Sequence, residues 1–123
     1  MFIKGNVYTR QQISAAVGGG TQDCLSHAMN RVVAICLKLD MNPQAPLIML
    51  VGCGRDKERY SEVLCDEQRK EPIPLFIKKT SNVWEFHGHF NVREHSKSAS
   101  IIADLERTAG RDDVYMVIHF EEV

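Results

Sequence analysis

The single tryptophan of this chain lies close in sequence to two adjacent lysines, a combination that suits a ring-bearing anionic ligand. Trp84 follows Lys78 and Lys79, and a second aromatic side chain, Tyr8, is soon followed by Arg10. Aromatic rings offer faces to nucleobases, and lysine and arginine neutralise phosphates. These residues are therefore candidate contacts to nucleic acid. Each cation has the alternative of a solvated surface position.

Three consecutive glycines form a second candidate ligand segment. Gly18, Gly19 and Gly20 permit positive φ angles and close backbone approach, and Thr21 and Gln22 add polar groups. One interpretation is a loop in which these residues face a ligand. The other is the end of a helix followed by a flexible loop. The spacing is not that of a P-loop, since no Lys-Ser/Thr pair follows.

Two histidines are candidates for hydrogen bonds to a ligand. Glu85, His87 and His89 alternate along a predicted strand and therefore share one face of it. Surface histidines are the alternative interpretation. A metal ion needs three or four ligands, and the sequence does not place a third beside this pair. No metal and no cofactor are predicted.

The four cysteines give no support for a zinc site or for catalysis. Cys24, Cys36, Cys53 and Cys65 contain no CxxC motif. Cys36 and Cys53 lie inside apolar runs and are predicted to be packed thiols. A small hydrolase would need a cysteine next to a histidine, and no local signature indicates one. No catalytic residue is assigned, and an enzyme stays an alternative.

Composition indicates one globular domain, residues 1–123, without a strong overall electrostatic field. Apolar residues make up 44% and charged residues 25% of the 123, values typical of folded chains. The formal net charge of −1 means that any nucleic-acid role must use a local basic patch or a pocket. No apolar run suits a membrane span or a signal peptide. We therefore expect a soluble cytoplasmic protein with no membrane partner.

The elements that position these residues are predicted from apolar periodicity and capping residues. Thr9 and Gln12 fit a capping box, Asp56 is the predicted cap of a second helix, and Ser98 that of a third. Helices are predicted at residues 9–18, 57–69 and 98–110. Strands are predicted within residues 2–8 and at 32–37, 47–51, 72–79, 84–92 and 114–120.

The strands at residues 72–79 and 84–92 form a predicted hairpin that contains the central aromatic cluster. Trp84, Phe86 and Phe90 are predicted to share one buried face with Gly88. A glycine inside a strand indicates a bulge or sharp bend, and such bends curl small sheets. The predicted fold is α+β: a curled, mainly antiparallel, barrel-like sheet with short helices on its rim.

The hairpin also resembles a known group of domains. Pro72-Ile-Pro-Leu-Phe-Ile-Lys78, followed by Trp84-Glu-Phe86, Gly88 and Phe90-Asn-Val92, resembles the late hairpin of PUA-like domains. It is most similar to the SRA-like and sulfur-binding reader modules that accompany modification-dependent restriction nucleases. Tyr8-Thr-Arg10, with Ile13 and the glycines, resembles their N-terminal helix. The resemblance implies a PUA-like barrel that reads modified or flipped bases in a concave pocket, and a role in restriction or defence.

The expected function is therefore a small PUA-like nucleic-acid-binding module, with DNA as a more suitable partner than RNA. The alternatives are a protein-interaction or self-association module, which would form a homodimer, and a small Cys/His hydrolase. The nucleic-acid hypothesis requires that the candidate residues gather in one concavity. The candidate ligand-binding residues are Tyr8, Arg10, Gly19, Gly20, Thr21, Gln22, Lys78, Lys79, Trp84, His87 and His89.

Overall fold

The computed structural model describes residues 1–66 and 71–123. Within them the chain forms seven strands and three helices. In chain order these are β1 (Val7–Tyr8), α1 (Arg10–Val17), β2 (Leu25–Ala28), β3 (Arg31–Leu37), β4 (Ile48–Gly52), α2 (Arg55–Asp66), β5 (Ile73–Thr80), β6 (Val83–Ser96), α3 (Ala99–Ala109) and β7 (Val114–Glu122). None of the helices in these residues is long and apolar enough to cross a membrane.

The strands form one mixed sheet in the order β2-β3-β5-β6-β7-β4, with β1 paired to β6. The β3–β5 pairing is parallel and the other pairings are antiparallel. The parallel pair arises because β4 and α2 intervene between β3 and β5 in the chain. The predicted α+β class with a curled, barrel-like sheet is confirmed, in the form of a half-barrel.

Helix α2 is enclosed by the curve of the sheet. It contacts β2 and β3 at one end of the sheet and β4 and β7 at the other. Tyr60 and Leu64 place the apolar stripe of the helix in the main core. Burying one such apolar side chain stabilises the fold by about 1.5–3 kcal/mol. The sheet therefore curls around α2.

The other two helices pack on the opposite face of the sheet. Ile13 of α1 joins a cluster around Phe76 and Phe86, while Ile102 and Leu105 of α3 pack against residues of β4 and β7. The predicted caps of α1 are confirmed: the Thr9 hydroxyl accepts a hydrogen bond from the Gln12 amide, and Gly18 ends the helix with φ 86°. The Arg10 amide donates to the side-chain oxygen of Asn82, which places the start of α1 beside the β5–β6 turn.

Gly88 forms the predicted bulge in β6, and the bulge changes which side chains share a face. The φ angle of Gly88 is 120°, and the pairing shifts between Phe76–Phe86 and Leu75–Gly88. Phe86 therefore packs beside α1, whereas Phe90 packs in the core around α2. The predicted single apolar face of this strand is wrong because an extra residue breaks the period of two.

Two further predictions are wrong, and one strand has no signal in the sequence. Helix α2 begins at Arg55, so Asp56 lies inside the helix and is not its cap. Cys53 is exposed and not packed, because it lies in the turn before α2. Strand β2 was not predicted, because its four residues have a mixed composition and are ordered by pairing with β3. The predicted end of the second helix at residue 69 lies outside the described residues.

Candidate functional site

A cavity of about 520 Å³ opens where α1, α2 and the ends of several strands meet. Its volume lies within the range of about 300–1,000 Å³ that small-molecule pockets occupy. The first turns of α1 and α2 contribute to its walls, together with the segment before β2 and the ends of β3, β4 and β5. The curled sheet creates this space because it brings β3 and β4, which are not paired, to opposite sides of α2.

Arg10 and Trp84 form one wall of the cavity. Each is only 5% exposed, and the guanidinium carbon of Arg10 lies 5.3 Å from the centroid of the Trp84 ring. The Lys78 ammonium lies 5.9 Å from the same centroid. Both cations therefore cover the indole ring. Trp84 contributes its edge and its support of these cations, not the open stacking face expected from the sequence.

Hydrogen bonds fix the position of Arg10. Its Nη2 donates to the carbonyl oxygens of Gly20 at 3.2 Å and Asp23 at 2.8 Å. Its backbone amide donates to the side-chain oxygen of Asn82 at 2.9 Å, in the turn between β5 and β6. Because its backbone and side chain are both held, this wall is rigid and ties α1 to the hairpin.

Two buried donors of this wall meet no acceptor among the residues that the structure describes. They are Arg10 Nε and Trp84 Nε1. Leaving a buried N–H group unpaired costs roughly 1–3 kcal/mol. Both residues line the cavity, but each of these nitrogens has less than 1 Å² of accessible surface and is therefore not open to the cavity. A ligand acceptor would reach either donor only if the Arg10 or Trp84 side chain shifted.

The cavity concentrates positive charge in a chain whose formal net charge is −1. Five cationic side chains line it against two carboxylates, those of Asp23 and Asp56. This is the local basic patch that a near-neutral protein needs for binding phosphates. The five cations are Arg10, Lys38, Lys57, Lys78 and Arg111.

These cations differ in how far the protein already engages them. Arg111 donates to the carbonyl oxygen of Leu50 at 2.9 Å and to both carboxylate oxygens of Asp113, and its hydrogen bonds lower the pKa of that carboxyl group. Lys38, Lys57 and Lys78 make no salt bridge within residues 1–66 and 71–123. The three lysines are therefore the cations available to an anionic ligand.

A stacked pair of rings lies on the α2 side of the cavity. The centroids of His27 and Tyr60 are 3.5 Å apart, with their planes within 13° of parallel. His27 Nδ1 donates to the carbonyl oxygen of Leu25 at 2.9 Å, which fixes the imidazole. Both residues line the cavity. Sequence reasoning missed this pair, because it depends on the unpredicted strand β2.

Thiols and thioethers complete the lining. Cys24 and Cys36 are accompanied by Met41 and Met49. Burial raises the pKa of the Cys24 thiol and raises that of Cys36 to about 12, so neither is a ready nucleophile near neutral pH. In the part of the chain that the structure describes, no cysteine donates to a histidine. The described residues therefore offer no Cys–His pair in support of the hydrolase alternative.

The structure brings together five of the eleven candidate residues predicted from the sequence. They line the cavity and come from α1, the segment after the glycines, β5 and β6. These five are Arg10, Thr21, Gln22, Lys78 and Trp84.

The glycine segment and Tyr8 have structural roles. Gly19 is buried, and a Cβ there would lie 2.0 Å from Ser26 Oγ, so the segment packs tightly on β2. The carbonyl oxygen of Gly20 accepts from Arg10 and Ser26. The Tyr8 hydroxyl accepts from the Ile3 amide at 2.8 Å. None of these positions lines the cavity, and the glycine segment supports Arg10 from behind.

Lys79 and the two histidines of β6 lie away from the cavity lining. His87 Nε2 lies 2.9 Å and Lys79 Nζ 3.8 Å from Glu85 Oε1. His89 packs edge-on against Phe86, with ring centroids 5.3 Å apart. The bulge places His89 on the face of Phe86, so the prediction that it shares a face with Glu85 is wrong. No group of three or more potential metal ligands occurs among the described residues.

No known protein family, curated protein or solved structure matches this chain. The resemblance to PUA-like domains therefore stays a prediction, and the geometry of the cavity carries the functional argument.

Proposed function

We propose that this chain is a small PUA-like nucleic-acid reader that accepts one modified or extruded DNA base in the cavity beside Arg10 and Trp84. The observation that carries the proposal is a cavity that three lysines without a salt bridge among the described residues line together with Arg10 and Trp84. A nucleobase supplies ring acceptors, and the strand to which it belongs supplies phosphates.

The chemistry of each wall suits a part of this ligand. Enzymes and readers that extrude a base hold it by hydrogen bonds to its edge and by apolar or aromatic contact. Thr21 and Gln22 line the cavity and supply hydrogen-bonding groups for the edge, while His27 supplies ring surface. Tyr60 supports His27 by stacking, and its own ring is also covered by the Arg59 guanidinium, 5.2 Å from its centroid. Lys78 lies at the Trp84 wall and is suited to a phosphate contact.

The experiment is a binding titration with a fully paired duplex, the same duplex with one mismatch, the same duplex with one 5-methylcytosine, and the single strand. Two salt concentrations separate pocket binding from general phosphate contact. Lys78→Gln is compared with Lys79→Gln, because the neighbouring Lys79 is exposed and does not line the cavity. Trp84→Phe removes the indole donor and keeps an aromatic ring.

The proposal predicts tighter binding to the mismatched or modified DNA than to the paired duplex. Lys78→Gln and Trp84→Phe each weaken binding about ten-fold, whereas Lys79→Gln changes it less than about two-fold. If every DNA binds with the same affinity and added salt abolishes the binding, the chain only contacts phosphates and reads no base. Absence of binding at low salt, with a stable dimer in sedimentation, overturns the proposal in favour of self-association.

A further inference from the structure

The imidazole of His27 is held in one orientation on the α2 side of the cavity. Its ring stacks on Tyr60 with centroids 3.5 Å apart and planes within 13° of parallel. Tyr60 is itself buried, and the Arg59 guanidinium that covers it donates to the side-chain oxygen of Asn30 at 2.8 Å. The imidazole therefore meets a ligand as a fixed group, which loses little entropy on binding.

The surroundings of His27 determine which ring nitrogen carries the proton. Nδ1 lies 2.9 Å from the carbonyl oxygen of Leu25 and 3.9 Å from Asp23 Oδ2. A carbonyl oxygen and a carboxylate oxygen can only accept a hydrogen bond, so the proton of the neutral imidazole is on Nδ1. The lone pair of Nε2 is then a hydrogen-bond acceptor.

This acceptor is open to a ligand. Nε2 makes no hydrogen bond to the described residues, and it is not one of the unpartnered side-chain atoms that are sealed from solvent. The side chain of His27 is 24% exposed and lines the cavity. The cavity wall therefore includes a fixed acceptor that the described part of the chain leaves free.

Other neutral acceptors of the lining are already used. Three carboxamide oxygens accept hydrogen bonds from protein groups, those of Gln11, Asn42 and Asn82. The lysine and arginine side chains of the lining can only donate. A ligand donor that enters this cavity is therefore matched by His27 Nε2.

We propose that His27 is a specificity-determining residue: its Nε2 accepts a hydrogen bond from the exocyclic amino group of the bound base. The inference rests on the proposed function and names the class of base, one that carries an amino group, as adenine and cytosine do. A base without this group leaves Nε2 unpaired. Sites built around a hydrogen bond reject analogues that lack the donor.

The test removes the amino group from the ligand and the acceptor from the protein. One pair of duplexes carries a mismatched adenine or, at the same position, purine; a second pair carries cytosine or 2-pyrimidinone. Calorimetry with 2′-deoxyadenosine and purine 2′-deoxyriboside repeats the comparison without a strand. Because loss of the amino group also weakens base pairing, the quantity compared is the affinity ratio within each pair, in the wild type and in each variant.

Three variants separate the acceptor from the ring. His27→Phe removes Nε2 and keeps an aromatic ring on Tyr60, and His27→Gln offers a carboxamide oxygen as the acceptor. His95→Phe is the control, because His95 is exposed and does not line the cavity. Far-ultraviolet circular dichroism and thermal unfolding confirm that the variants are folded.

The expected result is that His27→Phe lowers the preference for the amino-bearing ligand about ten-fold, that His27→Gln restores about three-fold of it, and that His95→Phe leaves it unchanged. A preference that persists in His27→Phe overturns the inference, while the DNA reader stands if mismatched DNA still binds best. A His27-dependent preference among the deoxynucleosides without DNA binding retains the inference and rejects the reader. Absence of binding to every ligand overturns both.

Discussion

Burial determines what Arg10 contributes to the site. A solvated arginine would be a mobile phosphate contact, but Arg10 is 5% exposed and its Nη2 donates to two carbonyl oxygens. The guanidinium therefore connects α1 to the segment before β2 and presents its remaining donors in one fixed direction. Under the proposed function, a ligand at this wall meets a preorganised side chain, which loses less entropy on binding than a mobile one does.

Arg10→Lys tests this dual role. Lysine keeps the charge but lacks the planar fork, so at least one of the carbonyl oxygens of Gly20 and Asp23 loses its donor. We expect the free energy of unfolding in urea to fall by roughly 1–3 kcal/mol. An unchanged free energy of unfolding, measured against a Lys4→Arg control at an exposed position, would contradict the structural role of Arg10.

The partly buried thiol of Cys65 predicts a loss of stability at alkaline pH. Burial, aided by the carboxylates of Glu62 and Asp66, raises the pKa of Cys65 from 9.0 to about 12. Between these values the unfolded thiol loses its proton and the folded one keeps it, so stability is full below pH 9 and declines up to about pH 12. Cys65→Ala is expected to show a smaller decline than Cys53→Ala, in which an exposed thiol is removed. Equal declines in denaturant titrations across this pH range would show that Cys65 is not involved.

At the scale of elements, the bulge in β6 sets which aromatic side chains reach each face. Gly88 has a φ angle of 120°, and a Cβ there would lie 2.6 Å from Glu122 Oε2. Gly88→Ala is expected to lower the free energy of unfolding by about 1–3 kcal/mol because the backbone conformation becomes strained. Gly20→Ala is the matched control, since no atom lies within 4 Å of its Cβ position. Equal effects of the two substitutions would show that the bulge tolerates a side chain.

The elements with local signals were predictable from the sequence. The capping box at Thr9, the helix end at Gly18 and the strand preceding Asn82 follow from short-range chemistry. Strand β2 and the parallel β3–β5 pair depend on contacts between distant segments, which periodicity does not report. The switch of side chains from one face of β6 to the other at the bulge could be predicted only with knowledge of the strand that pairs with β6.

The candidate site was predictable only in part, for the same reason. Arg10, Lys78 and Trp84 were identified from residue type, and the fold brings them together. Lys57 and His27 line the same cavity but come from α2 and β2, and no short motif connects them to the hairpin. Residue chemistry therefore identified one wall, and the wrapping of the sheet around α2 supplied the opposite wall.

For the whole molecule, the concentration of cations in one cavity predicts how binding responds to salt. Lys38, Lys57 and Lys78 are available to phosphates, and each phosphate neutralised contributes roughly −0.7 to −0.9 to the slope of log affinity against log salt. We expect a slope of about −2 to −3 for DNA, with Lys57→Gln making it less steep by about 1. A slope near zero, or an unchanged slope in the variant, would place phosphate binding elsewhere.

The most direct test of the account uses the fluorescence of the single tryptophan, because Trp84 lines the cavity. The measurement is a titration with the mismatched duplex and its fully paired counterpart, in the wild type, Lys78→Gln and Lys79→Gln. The account predicts a saturable emission change at lower concentrations of the mismatched duplex, shifted about ten-fold by Lys78→Gln and less than about two-fold by Lys79→Gln. Binding of DNA, seen independently by anisotropy, without a change in Trp84 emission would contradict the claim that the cavity holds the base.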